Sequence, residues 1–203
     1  SDGVVLDRYF VENRTNVSID EISPNIVNAL IAIEDHRFFE HWGVDIVRLA
    51  GLPYYWIQGR LQGGSTITQQ LARNLYRKIG FEVSVTRKLR EMITAIQIEH
   101  NYTKREIIEM YLNTVEFSNS AFGIEQASKT HYNKPAKDIN VSEAATLIGQ
   151  LRAIYAYNPR INPERAEFRR NVVLNQMYNR GFISAETLQS LRMEPITLNY
   201  QPP

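Results

Sequence analysis

The chain of 203 residues contains no cysteine and no long apolar segment. The absence of cysteine excludes disulfide bonds and thiolate ligands for a metal. No stretch approaches the roughly 20 consecutive apolar residues that a transmembrane helix needs. The formal net charge is only +1, which argues against a nucleic-acid-binding protein. What is present, 43% hydrophobic and 22% charged residues, is typical of a globular domain with a sizeable core.

The spacing of the apolar residues predicts a mainly α-helical domain. Ser23 and Pro24 form a helix cap and a first helical residue, and apolar residues then repeat at helical spacing up to Glu34 and Asp35. Later helices begin with similar signals, including a capping box at Thr103. The predicted helix starts after the first lie near Gly64, Thr86, Thr103, Ser142, Asn162 and Ser184.

The remaining organisation is simple. Only positions 4–11 and 17–19 alternate like β-strands. In the second predicted helix, Ile67, Leu71 and Leu75 share the side that we expect to be buried. We expect a single domain over residues 1–203, with a short extended segment at 1–22 and an exit linker at 195–203. The way the sequence starts and stops suggests a domain excised from a longer protein.

Two segments carry most of the chemical information. Positions 34–43 read EDHRFFEHWG, and positions 63–74 read GGSTITQQLARN. The first segment offers a carboxylate beside a second acid and an aromatic, histidine-flanked wall. The second offers a glycine turn, hydroxyls, amides and a cation. A base near a polar cradle for an anionic group is what transfer from a phosphate-activated donor requires.

A third segment concentrates positive charge at the apparent start of a helix. Arg87, Lys88 and Arg90 occupy the first turn, where the helix dipole penalises each cation by roughly 0.3–1 kcal/mol. An anionic ligand would remove this conflict, because helix N-terminal amides and fixed cations both favour phosphate. The alternative is a solvated basic turn without a ligand.

With a fourth segment at 104–113, which reads KREIIEMYLN, these motifs resemble the peptidoglycan glycosyltransferase family, the lysozyme-like domain of class A penicillin-binding proteins and monofunctional polymerases. A weaker similarity follows at 169–181. The resemblance covers nearly the whole chain. It implies a two-lobed helical domain that polymerises lipid II, with inversion at the N-acetylmuramic acid anomeric carbon and release of undecaprenyl pyrophosphate.

Two other functions fit part of the pattern. A lysozyme-like hydrolase or lytic transglycosylase has no use for a cation cluster such as Arg87, Lys88, Arg90 and Lys104. A non-catalytic glycan- or lipid-binding module would not need both glutamates that the family motifs contain. These two glutamates, Glu34 and Glu91, are therefore the predicted catalytic residues.

The resemblance assigns a role to each motif position. Glu34 is the general base, and burial beside Phe38 and Phe39 would raise its pKa toward neutrality. Asp35 either orients Glu34 or caps the next turn, and Phe38 and His41 shape the cleft. Tyr111 is a core residue with its hydroxyl at the site, and Asn113 braces the Glu34 loop. The predicted substrate-binding residues also include Gly64, Ser65, Thr66, Gln69, Gln70, Arg73, Arg87, Lys88, Arg90 and Lys104.

The role of Glu91 has two alternatives. It either assists the leaving pyrophosphate through a divalent metal, Mg²⁺ or Mn²⁺, or holds Arg87 and Lys88 in place. The chain also departs from the family pattern. Arg73 replaces a lysine of many relatives, Ser118 and Ser120 replace glycines, and 152–155 replaces a turn that contains proline.

The family also implies a cellular setting. We expect the site to lie at the outer face of a bacterial cytoplasmic membrane, on the periplasmic side, with the parent protein anchored by a transmembrane helix. The apolar run 52–57 either dips into that membrane or packs inside the domain. Lipid II and the growing glycan strand are the expected partners, moenomycin the expected inhibitor, and a transpeptidase domain the expected C-terminal neighbour.

Overall fold

The computed structural model describes residues 15–57, 64–76 and 85–202. Within these ranges the chain is mainly α-helical, as predicted, and none of the helices is long and apolar enough to cross a membrane. The helices are α1 (Pro24–Glu34), α2 (Ile46–Ile57), α3 (Ile67–Tyr76), α4 (Val85–Asn101), α5 (Lys104–Thr114), α6 (Ile124–Tyr132), α7 (Val141–Gln150), α8 (Pro163–Asn179) and α9 (Ala185–Met193). A small antiparallel hairpin joins β1 (Glu116–Phe117) to β2 (Ala121–Phe122), with Glu116 opposite Phe122.

The helices pack in two groups. Helix α1 packs against α7 and α8, while α3 packs against α4 and α5. The buried apolar residues of both groups belong to one continuous core, which includes Ile26, Leu71 and Leu147. This division agrees with the predicted two-lobed domain and places the carboxyl end of α1 next to the amino end of α3.

Helix α1 forms as its sequence predicts. The Ser23 hydroxyl accepts a hydrogen bond from the Asn25 amide at 3.3 Å and donates to the Ile139 carbonyl at 2.8 Å. Pro24 occupies the first helical position, where no amide donor is needed. The cap therefore starts the helix and also fixes its start to the segment before α7.

The capping box that starts α5 is confirmed, but the predicted start of α7 is wrong. Asn140, and not Ser142, caps α7. Its side chain accepts from the Glu143 amide at 2.9 Å, and the Glu143 carboxylate accepts from the Asn140 amide at 3.0 Å. Asparagine is as good a cap as serine, and the glutamate three residues later decides between the two.

Two further expectations are corrected. Leu75 is 52% exposed, so the buried side of α3 ends with Leu71 and Ala72. The extended pattern at 17–19 is not a strand, because a 3-10 turn at Ile19–Glu21 follows the Ser18 cap. The strand predicted at 4–11 and the segment 77–84 lie outside the described residues. For 52–57 the structure describes the helical backbone of α2 and not the side chains.

The hairpin was not predicted, because two strands of two residues are too short to show an alternating pattern. Its turn places Asn119 and Ser120 at φ values of 62° and 58°. Asparagine tolerates this left-handed conformation, and serine adopts it at a cost. The serine that replaces a family glycine at position 120 is therefore a strained residue in this structure.

The described part of the exit segment is attached to the domain. The Asn199 amide donates to the His131 carbonyl at 3.0 Å, and the Gln201 amide donates to the Thr130 carbonyl at 2.8 Å. Both carbonyls belong to the last turn of α6, which otherwise lacks helical partners. The Arg160 guanidinium lies 4.4 Å from the centre of the Tyr200 ring. Backbone and side-chain contacts thus hold this segment against the helical domain.

Replacing Tyr200 by alanine is expected to detach this segment. The cation–π contact and the ring packing on His131 are lost, which together contribute about 1–2 kcal/mol. Hydrogen–deuterium exchange should therefore become faster at the Asn199 and Gln201 amides. Tyr178→Ala, at an exposed position of α8, is the matched control. Unchanged exchange in Tyr200→Ala would contradict this account.

Candidate active site

The carboxylate of Glu34 is oriented by residues from two other helices. Glu34 is the last residue of α1 and is partly buried. Its Oε2 accepts a hydrogen bond from Gln70 Nε2 on α3 at 2.8 Å. Gln70 Oε1 in turn accepts from the Tyr111 hydroxyl on α5 at 3.0 Å. Tyr111 thereby sets which end of the Gln70 amide faces Glu34.

Tyr111 is suited to this donor role. Its side chain is 1% exposed, as predicted for a core residue with its hydroxyl at the site. Burial, and then the charge of Glu34, raise the pKa of the Tyr111 hydroxyl far above its usual value. The hydroxyl therefore stays protonated and donates to Gln70. Within the described part of the chain no group hydrogen-bonds with Glu34 Oε1, so this oxygen is available to a substrate.

The main chain at Glu34 is also fixed. Arg48 on α2 donates from Nη1 to the Glu34 carbonyl at 2.9 Å. A helix ends at this point, and its last carbonyls need partners outside the helix. Helix α2 thus helps to hold the base at the end of α1.

Asp35 has a role that neither predicted alternative contained. Its carboxylate is 1% exposed and makes no hydrogen bond with Glu34. Oδ2 accepts from the Ile67 amide, the first of α3, at 3.0 Å. Both oxygens lie 3.0 Å from His41 Nε2, which must donate because a carboxylate only accepts. Asp35 therefore joins α1, the His41 loop and the amino end of α3.

Thr66 and Gln69 form the capping box of α3. The Gln69 amide donates to Thr66 Oγ1 at 3.1 Å, and the Thr66 amide donates to Gln69 Oε1 at 3.0 Å. The Thr66 hydroxyl also donates to the Gly43 carbonyl at 2.6 Å. Both side chains are at most 1% exposed, so the structure assigns them to the start of α3 rather than to donor contact. Gly64 and Ser65 remain partly accessible.

Gly43 is held against the backbone of α4. Its φ is 85°, and a Cβ at this position would lie 2.7 Å from the Ala95 carbonyl carbon and oxygen. Backbone atoms cannot move aside as a flexible side chain does. Only glycine fits both the conformation and the close approach.

Gly43→Ala is therefore expected to lower the free energy of unfolding by about 2–4 kcal/mol, combining backbone strain and overpacking. Chemical denaturation measures this loss. Gly181→Ala is the control, because Gly181 also has a positive φ of 76° but has open space around its Cβ position. Equal losses for the two variants would show that the approach to Ala95 contributes nothing.

A second buried carboxylate, Glu91 on α4, is surrounded by cations. It is 3% exposed. Arg73 donates to Oε1 from Nε at 3.1 Å and to Oε2 from Nη2 at 3.4 Å. Lys88 Nζ lies 3.2 Å from Oε2, and Arg87 Nε lies 3.5 Å from Oε1. Burial acts to raise the pKa of Glu91, but the hydrogen bonds and charges of Arg73 and Lys88 outweigh it and lower that pKa.

These cations extend from Glu91 toward solvent. The side chains of Arg73, Arg87 and Lys88 are 46%, 48% and 40% exposed, so each can still meet a ligand. The Ser65 hydroxyl accepts from Lys88 at 2.7 Å and from Arg73 at 3.2 Å. The structure thus brings together four of the predicted binding residues and Glu91. We call Ser65, Arg73, Arg87 and Lys88 the cation cluster.

Lys104 and Arg90 do not join the cation cluster. Lys104 Nζ donates to the His41 carbonyl at 2.7 Å and to Glu99 at 2.8 Å, and it lies 4.2 Å from the centre of the Phe38 ring. The expected grouping of Lys104 with Arg87 and Lys88 is therefore corrected. Lys104 supports the His41 loop, and Arg90 is exposed on α4 without an ion pair to Glu91.

Three other predicted site residues are Phe38, His41 and Asn113. Phe38 and His41 lie together at the His41 loop, and Asn113 lies away from it. Phe38 is fully buried and makes an edge contact with the His41 ring, 6.2 Å between centres. His41 is 7% exposed, so both shape the site from inside. Asn113 does not brace the Glu34 loop. Its amide pairs with Val17 in both directions, at 3.1 Å and 2.9 Å, and so fixes the N-terminal segment.

One residue near Glu34 was not predicted. Burial lowers the pKa of Arg169 on α8, while the negative charge of Glu34 acts in the opposite direction. Arg169 Nε donates to the Gly149 carbonyl at 3.4 Å, and its guanidinium lies 5.8 Å from the centre of the Tyr157 ring. The sequence offers two signals, the weaker family similarity at 169–181 and an arginine pair at 169–170 within a helix. It does not show that this pair meets the end of α1.

Metal ligands are scarce in this part of the molecule. Among residues 15–57, 64–76 and 85–202 there is no group of three or more histidine, aspartate or glutamate side chains able to hold an ion. Glu91 is the residue that the sequence analysis names as a possible metal ligand. Its oxygens instead accept hydrogen bonds from nitrogen atoms of Arg73 and Lys88.

The chain is similar in sequence to a known protein family and to named members of it. The sequence pattern of the family described as Transglycosylase matches residues 2–178. The chain is 46% identical over 176 residues to penicillin-binding protein 1A/1B of Bacillus subtilis, covering 85% of this chain and 19% of that protein. It is 39% identical over 207 residues to penicillin-binding protein 1A of Escherichia coli, covering 100% of this chain and 24% of that protein.

A solved structure shows a similar fold. The crystal structure of penicillin-binding protein 1A from Haemophilus influenzae matches with a TM-score of 0.54 and 20% sequence identity, over 92% of this chain and 18% of that one. The chain spans less than a third of the length of these relatives. The whole of each relative therefore contains much that this chain does not.

Proposed function

Because the chain belongs to the transglycosylase family, we propose that it is a peptidoglycan glycosyltransferase that polymerises lipid II into glycan strands. One observation carries this proposal. Helix α3 contacts both carboxylates, since Gln70 binds Glu34 and Arg73 binds Glu91. Positions 70 and 73 are about one helical turn apart, or roughly 5 Å along the axis. One helix thus carries both the residue that orients the proposed base and a cation of the proposed anion-binding cluster.

The reaction that we propose uses both groups. Glu34 Oε1 accepts the proton of the 4-hydroxyl of the acceptor N-acetylglucosamine. The oxygen attacks the anomeric carbon of the donor N-acetylmuramic acid, where a new carbon–oxygen bond forms as the bond to the pyrophosphate breaks. Attack from the side opposite the leaving group inverts the α-linkage to β. The leaving undecaprenyl pyrophosphate keeps its electron pair, and its charge is stabilised by the cation cluster.

A hydrolase is less well supported by the same geometry. Cleavage of a glycosidic bond needs a protonated acid for the leaving sugar. The second carboxylate here, Glu91, has a lowered pKa and is surrounded by three cations. Such a group does not donate a proton, and its cations suit a phosphate leaving group.

The setting that we propose is the periplasmic side of the cytoplasmic membrane, with an anchor and a transpeptidase domain in the parent protein. The names of the relatives, penicillin-binding proteins, support this proposal. Large apolar side chains on the α2 side of the site also favour a lipid surface. Trp42, Ile46 and Val47 are 83%, 75% and 61% exposed, and with Ile96 they line one shallow groove.

Trp42→Ser is expected to reduce binding of the chain to phospholipid vesicles, because a tryptophan stabilises contact at the headgroup level. Cosedimentation with vesicles measures the bound fraction. Tyr155→Ser, at a residue 78% exposed in the turn between α7 and α8, is the matched control. A larger loss for the control than for Trp42→Ser would place the lipid contact elsewhere.

Polymerisation of purified lipid II by this chain in detergent tests the proposed function. We expect a ladder of glycan products that lysozyme degrades, and inhibition by moenomycin. Release of short sugars from preformed glycan, without polymerisation of lipid II, would instead favour the hydrolase. Binding of moenomycin without either reaction would favour the non-catalytic module.

A further inference from the structure

We propose that Glu91 positions the cations of the cluster and does not bind a divalent metal, so that transfer from the donor pyrophosphate needs no Mg²⁺ or Mn²⁺. This inference rests on the proposed function for the identity of the substrate. It concerns the choice between the two roles of Glu91 that the sequence leaves open.

The surroundings of Glu91 are those of a positioning residue. Mg²⁺ and Mn²⁺ are held by several oxygen ligands in near-octahedral geometry. Both oxygens of Glu91 already accept from nitrogen donors, Oε1 from Arg73 at 3.1 Å and Oε2 from Lys88 at 3.2 Å. A metal would have to displace these cations and then lie among them. Among the described residues, one carboxylate surrounded by three cations does not fit a doubly charged ion.

The cation cluster supplies positive charge without a metal. Among the described residues, Arg73 and Lys88 both contact Glu91, which is kept ionised by its lowered pKa, and both side chains are also partly exposed to solvent. A pyrophosphate diester between a sugar and a lipid carries two negative charges at neutral pH. These cations can therefore face the bound donor directly.

Arg73 strengthens this arrangement in a way that the family lysine would not. Its Nε and Nη2 reach Glu91, and Nη2 also reaches the Ser65 hydroxyl at 3.2 Å. The planar fork holds the guanidinium in one orientation, whereas a lysine is a point charge on a flexible stem. Arg73 thus provides a fixed, two-pronged donor beside the proposed pyrophosphate site.

The first arm of the test measures metal binding directly. Mn²⁺ is titrated into the wild-type chain and into Glu91→Gln, and free Mn²⁺ is followed by electron paramagnetic resonance. We expect the same weak binding in both proteins. A saturable Mn²⁺ site that disappears in Glu91→Gln would overturn the proposal.

The second arm measures binding of an anion without metal. Geranyl pyrophosphate, a short isoprenyl pyrophosphate, is titrated into the chain by calorimetry in the presence of EDTA. Wild type should bind, and Arg73→Ala and Lys88→Ala should each bind at least about tenfold more weakly, since each loses a charge-assisted contact. Arg192→Ala, which removes an exposed cation at the end of α9, is the matched control. Binding by wild type only after Mg²⁺ is added would overturn the proposal.

The third arm measures polymerisation. It distinguishes failure of this inference from failure of the proposed function. With lipid II, the rate in EDTA should equal the rate with added Mg²⁺. Polymerisation that stops in EDTA and returns with Mg²⁺ would overturn the inference and leave the proposed function standing. Absence of polymerisation under both conditions would contradict the proposed function, while the Mn²⁺ and geranyl pyrophosphate measurements would still decide the role of Glu91.

Discussion

Glu34→Gln is expected to slow lipid II polymerisation by about 100- to 10,000-fold, the usual contribution of a general base. The variant keeps the shape of the side chain and the hydrogen bond from Gln70, which donates to a carbonyl oxygen as well as to a carboxylate. It removes only the ability to take a proton. Single-turnover kinetics with lipid II measure the rate, and thermal unfolding should be unchanged.

The hydrogen-bonded chain from Tyr111 through Gln70 predicts an ordered series of effects. Gln70→Leu removes the group that orients Glu34, so we expect a loss of about tenfold or more, smaller than that of Glu34→Gln. Tyr111→Phe leaves Gln70 in place without its donor and should have the smallest effect. A Glu34→Gln protein as active as wild type would show that another group is the base.

Asp35→Ala is expected to lower the free energy of unfolding by about 2–6 kcal/mol, since two buried donors each lose their acceptor at a cost of about 1–3 kcal/mol. The change leaves His41 Nε2 and the Ile67 amide without their acceptor in an interior site. The amino end of α3 loses its attachment to α1. Denaturation by guanidinium chloride measures the loss, and activity should fall with it because α3 contributes Gln70 and Arg73.

A surface aspartate supplies the control. Asp20 pairs with Arg105 where both side chains are mostly exposed, so Asp20→Ala should cost at most about 1 kcal/mol. Asp35→Asn keeps one oxygen acceptor and should fall between Asp35→Ala and wild type. A loss for Asp35→Ala no larger than that for Asp20→Ala would show that the three-way contact does not hold the site together.

Much of the local structure follows from the sequence. The starts of α1, α5, α8 and α9 were predicted from serine, threonine and asparagine caps and from proline at the first helical position. These signals act within one helical turn, so neighbouring residues suffice to read them. The two glutamates and the basic turn at Arg87 were also visible, because the family motifs contain them in order.

The sequence did not predict which residues the charged and polar side chains contact. Lys104 and Asn113 lie in the fourth motif, yet one binds the His41 loop and the other the backbone of Val17. Arg169 is far from Gly149 and Tyr157 in the sequence, yet its guanidinium contacts both. Each of these contacts joins residues that are distant in sequence, and the pattern of a single segment has no information about them.

The sequence by itself determined that the protein is helical, that it belongs to a known family, and that Glu34 and Glu91 are the acids to consider. Helical caps and hydrophobic spacing depend on residues that are close together in the sequence. A motif is likewise recognised from its residues alone, without coordinates. Only the tertiary structure decided that Asp35 joins three segments and that Gln70 orients Glu34. It also placed three cations around Glu91, because hydrogen bonds and charge pairs depend on distances of a few ångströms that packing alone sets.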